Sequence, residues 1–76
     1  MINELDTVVL SHDVEEHGLQ QGDIGAVVHV YQDAAAYEVE FVTGEGETVA
    51  VLTLTAEDIR PMSEREILHV RELLSA

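Results

Sequence analysis

The sequence predicts a mainly β fold, a small five-stranded barrel followed by a C-terminal α-helix. Three observations carry that expectation. Turn-forming residues recur at short spacing from residue 11 to residue 61, the rhythm of an all-β chain. The segment Ala36–Val42 (AYEVEFV) alternates, with Tyr37, Val39 and Phe41 on one side and Glu38 and Glu40 on the other, as a half-buried strand requires. After Pro61 the apolar spacing changes to a helical period.

Leu5–Leu10 (LDTVVL) is expected as the first strand. Ser11–Asp23 is polar, contains Gly18 and Gly22, and reads as a loop. Ile24–Tyr31 (IGAVVHVY) is a β-branched second strand, Gln32–Ala35 a turn, and Ala36–Val42 the third strand. Thr43–Glu47 (TGEGE) is a hairpin loop whose two glycines are expected at positive φ. Thr48–Leu54 (TVAVLTL) is the fourth strand and Thr55–Asp58 a single helical turn. Ile59–Arg60 closes the set, stopped by Pro61, which has no N–H to give a ladder. Ser63–Leu74 then reads as a helix. Ser63 and Glu66 form a capping box, and Glu64 and Glu66 suit the positive end of the helix dipole. Ile67, Val70 and Leu74 share one face. The organisation expected is a barrel over residues 1–61 and a helix over residues 62–76, packed on the barrel or on a partner.

Five short strands with one helical turn before the last describe an SH3-like barrel. The second and fourth strands are apolar on both faces, with Val28 and Val30 against Val27 and Tyr31, and Val49 and Val51 against Ala50 and Leu52. Strands covered on both sides need not alternate. Something is therefore expected to cover part of the outside, either the C-terminal helix or another subunit, since a small domain gains missing core by oligomerising.

The chain has 76 residues and no cysteine. At this size roughly 60% of the unfolded surface is buried, and no disulfide framework supplements it. No apolar run approaches the ~20 residues of a membrane span. The N-terminus, MINELDTVVL, lacks the basic region of a signal peptide. A cytoplasmic protein without membrane attachment is expected. Sixteen acids against three arginines give a net charge of −13. The arginines are Arg60, Arg65 and Arg71, so residues 1–59 carry no Lys or Arg. Nucleic acids are held chiefly by Lys/Arg–phosphate contacts, so direct nucleic-acid binding is not expected. An acidic domain instead steers basic partners.

Site chemistry is sparse. His12-Asp13-Val14-Glu15-Glu16-His17 gathers five potential metal ligands in six residues, but the spacing matches no known motif, and solvated loop side chains are the default. Gly44-Glu45-Gly46-Glu47 lacks the Lys and Ser/Thr of a phosphate loop, and its glutamates repel phosphate. No nucleophile stands beside a base, and Ser63 is already assigned as a cap. His29 falls in the second strand on the face of Val27 and Tyr31. No catalytic, cofactor or metal residues are therefore expected. Tyr37 and Phe41 are expected inside, and Tyr31, at a strand end, is the exposed aromatic contact. The candidate partner contacts are Tyr31, Glu38, Glu40, Ile67, Val70 and Leu74.

Two resemblances add to this. Gly22-Asp23-Ile24-Gly25-Ala26-Val27-Val28 resembles the KOW-type turn of SH3-like domains in ribosomal proteins and transcription elongation factors. The basic residues with which those domains hold RNA are absent, so the resemblance implies the fold and not the RNA binding. Glu4-Leu5-Asp6-Thr7-Val8-Val9-Leu10, Glu16-His17-Gly18-Leu19, Gly22-Asp23-Ile24-Gly25, His29-Val30-Tyr31, Tyr37-Glu38-Val39-Glu40-Phe41 and Asp58-Ile59-Arg60-Pro61, in this order, resemble the small bacterial family known as domain of unknown function 4926. That resemblance covers most of residues 3–61. It implies a stand-alone prokaryotic protein with no catalytic residues to carry over. Such families often neighbour small genes suspected of encoding toxins, which implies an antitoxin or immunity role.

The expected function is thus a non-enzymatic acidic protein-binding module, an antitoxin-like inhibitor of a basic partner. The alternatives are a structural homo-oligomer and a small metal-binding protein using His12, Asp13, Glu16 and His17.

Overall fold

A computed structural model of the chain describes residues 2–73. Five strands, β1 (Thr7–Leu10), β2 (Ile24–Val30), β3 (Tyr37–Val42), β4 (Thr48–Leu54) and β5 (Ile59–Pro61), form one antiparallel sheet in the order β4-β3-β2-β1-β5. The expected strands are all present, within two residues at each end. The loop after β1 carries a single 3-10 turn at Glu15–His17, and a second spans Gln32–Ala34 between β2 and β3. In the β3–β4 hairpin only Gly46 has the positive φ expected of both glycines, at 86°.

Each strand sends apolar side chains to one core. Val8 and Leu10 come from β1, Val27 from β2, Val39 from β3, Leu54 from β4 and Ile59 from β5. Edge strands and centre sharing one cluster means the sheet curls around it. Full burial of such a side chain contributes roughly 1.5–3 kcal/mol against its ordering cost. The curl does not become a closed barrel, because among the described residues no ladder joins β4 to β5.

Gly25 in β2 is a point of close approach between strands. A Cβ there would stand 2.7 Å from Val39 Cγ1, 2.9 Å from Phe41 Cε1 and 3.0 Å from the Glu40 carbonyl oxygen. The residue is buried in its strand, and its lack of a side chain lets β3 close over it. One step further, the β2–β3 register shifts between Val27 and His29. That bulge turns β2 over by one residue. Val30 therefore joins Val27 against the core, while His29 pairs opposite Glu38 on the outer face. The strictly alternating expectation, with His29 on the face of Val27, is corrected accordingly.

The C-terminal helix is also corrected. Ser63–Glu66 makes one turn, in which the Ser63 N–H donates to Glu66 Oε1 (2.7 Å) and the Arg65 N–H to Ser63 Oγ (3.3 Å). The capping contacts thus form, but residues 67–73 do not continue as helix. A helix this short is marginal in water without a buried face, and two arginine clamps hold the segment in another path. Arg60 forks onto Glu66 (Nη1–Oε1 2.9 Å, Nη2–Oε2 2.6 Å). Arg71 forks onto Asp23 (Nε–Oδ1 2.9 Å, Nη2–Oδ2 2.6 Å) and also donates to the Gly18 carbonyl (2.9 Å). The tail covers β1 rather than the second and fourth strands, whose outward Val28 and Val51 stay exposed. Val9 alternates with core residues and so faces outward, yet it is only 5% exposed. It lies with Ile24 in a cleft bordered by Arg60, Met62 and Leu68.

If Gly25 sets the curl, Gly25→Ala lowers unfolding stability by about 1–3 kcal/mol through overpacking. Gly44→Ala, where an added Cβ meets nothing within 4 Å, changes it by less than about 0.5 kcal/mol. Urea denaturation of the two variants checks this, and equal effects would contradict it.

Candidate functional site

The outer face of β2, β3 and β4 is the part of the sheet that the tail leaves open. Register sets its composition. Ala26 lies opposite Glu40, and Glu40 opposite Val51; His29 lies opposite Glu38, and Glu38 opposite Thr53. The face is therefore a pair of carboxylates bordered by apolar and hydroxyl side chains. Val28 and Val51 are 43% and 48% exposed.

Local hydrogen bonds hold the carboxylates in place. Thr53 Oγ1 donates to Glu38 Oε1, and Tyr31 Oη donates to the same oxygen at a longer 3.4 Å. Thr48 Oγ1 donates to Glu40 Oε2 at 2.7 Å. The His29 ring stands edge-on to Tyr31, with centroids 4.7 Å apart, and His29 Nδ1 is 3.7 Å from Glu4 Oε2. Each carboxylate retains acceptor capacity for a donor arriving from outside.

Of the candidate contacts, Tyr31, Glu38 and Glu40 come together here. Ile67 and Val70 do not join them. They lie on the tail, 93% and 89% exposed, at the rims of clefts between tail and sheet. Leu74 lies outside the described residues. His29 and Thr53 were not among the expected contacts. The bulge that brings His29 out has no signature in IGAVVHV, whereas Thr53 follows from pairing TVAVLTL with YEVEFV.

Two of the loop ligands, His12 and Asp13, take structural roles. His12 Nε2 donates to Asp58 Oδ1 at 2.7 Å and Nδ1 to the Asp13 carbonyl at 2.9 Å. Asp13 Oδ1 accepts the Gln21 N–H at 2.8 Å. Among the described residues no group of three His, Asp or Glu is arranged to hold a metal ion. Nor is any helix there long and apolar enough to cross a membrane.

These contacts set the charge states. The hydrogen bond to Asp58, helped by the Asp13 carbonyl, raises the His12 pKa above 6.5. The Thr55 N–H, then His12, lowers Asp58. Burial works to raise Asp23, but the Arg71 and Gln20 hydrogen bonds outweigh it and the net shift is downward. Arg60, then the Ser63 N–H, takes Glu66 to about 2. Two of the three arginines are thus spent on internal carboxylates.

A family model described as Domain of unknown function (DUF4926) matches residues 4–61. No curated protein matches, and no solved structure matches. The matched span ends at Pro61, so it includes the whole sheet and leaves out the tail.

The His12–Asp58 pair gives a signed pH dependence. His12, raised on folding, contributes stability below its unfolded value of 6.5 and loses it as pH rises through the raised folded value. Asp58, lowered on folding, contributes above its unfolded value of 3.8 and loses it as pH falls through the lowered one. The stability difference between wild type and His12→Ala should therefore be largest between 3.8 and 6.5. Urea midpoints across pH measure it; a difference that ignores pH would contradict the pair.

Proposed function

The chain belongs to the DUF4926 family, and on that premise we propose that it is a non-enzymatic, acidic protein-binding module. Its open sheet face meets a basic surface of a partner protein. One observation carries this reading: Glu38 and Glu40 stand side by side among exposed Val28, Tyr31 and Val51 on the uncovered outer face. A patch with apolar area and ordered carboxylates suits a partner that brings Lys or Arg. Arginine fits best, because its fork matches a carboxylate. The charge distribution supports the same class of partner. With Arg60 and Arg71 engaged internally, the body offers phosphate groups little to bind and attracts cations over a long range.

The strand order, with a tight turn at residues 55–58 before a short last strand, supports reading the curled sheet as an open SH3-like barrel. The narrower functional form is an antitoxin- or immunity-like inhibitor, whose carboxylates would occupy the phosphate positions of a basic toxin acting on nucleic acid. Cytoplasmic residence belongs to that form. A second reading, a structural homo-oligomer, is favoured by the exposure of Ile67 and Val70 on the tail and opposed by a charge of −13 on each copy.

Affinity purification from the native host tests these readings. The module reading predicts one stoichiometric basic companion, retained at about 0.1 M salt and released near 1 M, where the screening length falls from ~10 Å to ~3 Å. A Glu38→Lys/Glu40→Lys variant should lose it at least about tenfold. Recovery of a discrete homo-oligomer that is unchanged by both substitutions would overturn the reading.

A further inference from the structure

We propose that the free edge of β4 is a strand-addition site for an extended partner segment whose side chains alternate between basic and apolar. The inference rests on the acidic-module reading and deepens it, by naming how the partner docks.

The two edges of the sheet differ. The β5 edge is three residues long, ends at Pro61 and carries Arg60, which is clamped to Glu66. Short length, proline and charge are the features that protect an edge from pairing. The β4 edge has seven residues, TVAVLTL, with no charge and no proline, and bonds only to β3. Among the described residues no other backbone bond engages Thr48–Leu54. The β3–β4 register slips only at the Val42–Thr48 end, so Ala50–Leu54 pairs in unbroken register with Phe41–Tyr37 and presents a regular outer edge.

Side chains select the occupant. On the inner side, Ala50 and Leu54 are buried while Leu52 is only half-buried, so the core is thin at this edge. Apolar residues on the inner side of an added strand would complete it. On the outer side, Val51 and Thr53 lie next to Glu40 and Glu38. An added strand would run two strand spacings from those carboxylates, about 10 Å. A Lys or Arg stem lying over Val51 and Thr53 spans most of that distance and delivers its charge near Glu40 or Glu38. Main-chain bonds then supply affinity, and the alternating side chains supply specificity. A second copy of this chain offers no basic side chain in β4 and adds another charge of −13.

The probe is the capped heptapeptide Lys-Val-Lys-Val-Lys-Val-Lys, titrated into the full chain by calorimetry and amide NMR. The control replaces its central Val with Pro, which keeps the charge but cannot sit in a ladder. The proposal predicts shifts concentrated in Thr48–Leu54 and binding at least about tenfold weaker for the control. Val51→Lys, at a half-exposed position, should leave the fold intact and weaken binding about fivefold. Equal binding of the two peptides would overturn strand addition while leaving attraction to the acidic face standing. No binding of either would overturn the proposal without touching a partner found by purification. Concentration-dependent pairing of β4 with itself would also overturn it, by assigning the edge to a second copy.

Discussion

The close approach of β3 to β2 at Gly25 is the constraint on which the rest depends. Val39 and Phe41 occupy the space a side chain would need there. With that contact made, the sheet curls far enough for Leu54 of β4 and Ile59 of β5 to share one core with Val8 and Val27. A chain of 76 residues can afford one such cluster and little more. The bulge next to Gly25 then decides which side chains leave the core. It sends His29 outward to Glu38 and returns Val30 inward, so the composition of the outer face follows from how the inner one packs.

Charge finishes what packing starts. The body is acidic throughout, and the arginines sit in or just before the tail. Arg60 and Arg71 fold that tail back by gripping Glu66 and Asp23. The Arg71–Asp23 pair is the less exposed of the two and has a third acceptor in the Gly18 carbonyl, so it is the stronger tether, exposed pairs being worth little. The tail covers Val9 and part of Ile24, borders a cleft with Val42 and Val49 near the β3–β4 hairpin, and leaves Val28 and Val51 exposed. Among the described residues, no further backbone bond engages the β4 edge.

Much of this was legible in the sequence. Alternation in AYEVEFV gave β3 and its buried Tyr37, Val39 and Phe41. The apolar outer positions of the second and fourth strands suggested a cover, but Val28 and Val51 stay exposed, and the outward residue that is covered is Val9 of β1. What was not legible depended on contacts between distant residues. Ser63, Glu66 and the spacing of Ile67 and Val70 are those of a helix start, and local pattern cannot reveal that Asp23, 48 residues before Arg71, competes for the same segment. The β2 bulge shows only in the cross-strand register, where Val27 lies opposite Val39 and His29 opposite Glu38. His12 and Asp58 lie 46 residues apart, so their pairing carries no sequence period.

The sheet stays open at β4 in the free protein. Native-state hydrogen exchange in dilute solution tests it directly. An open edge predicts alternation along Thr48–Leu54, with amides bonded to β3 exchanging slowly and those on the outer edge exchanging fast, while Ala26 and Val27 of β2, engaged from both sides, are slow. Uniformly slow exchange along β4 would mean the edge is already covered, and would contradict the account.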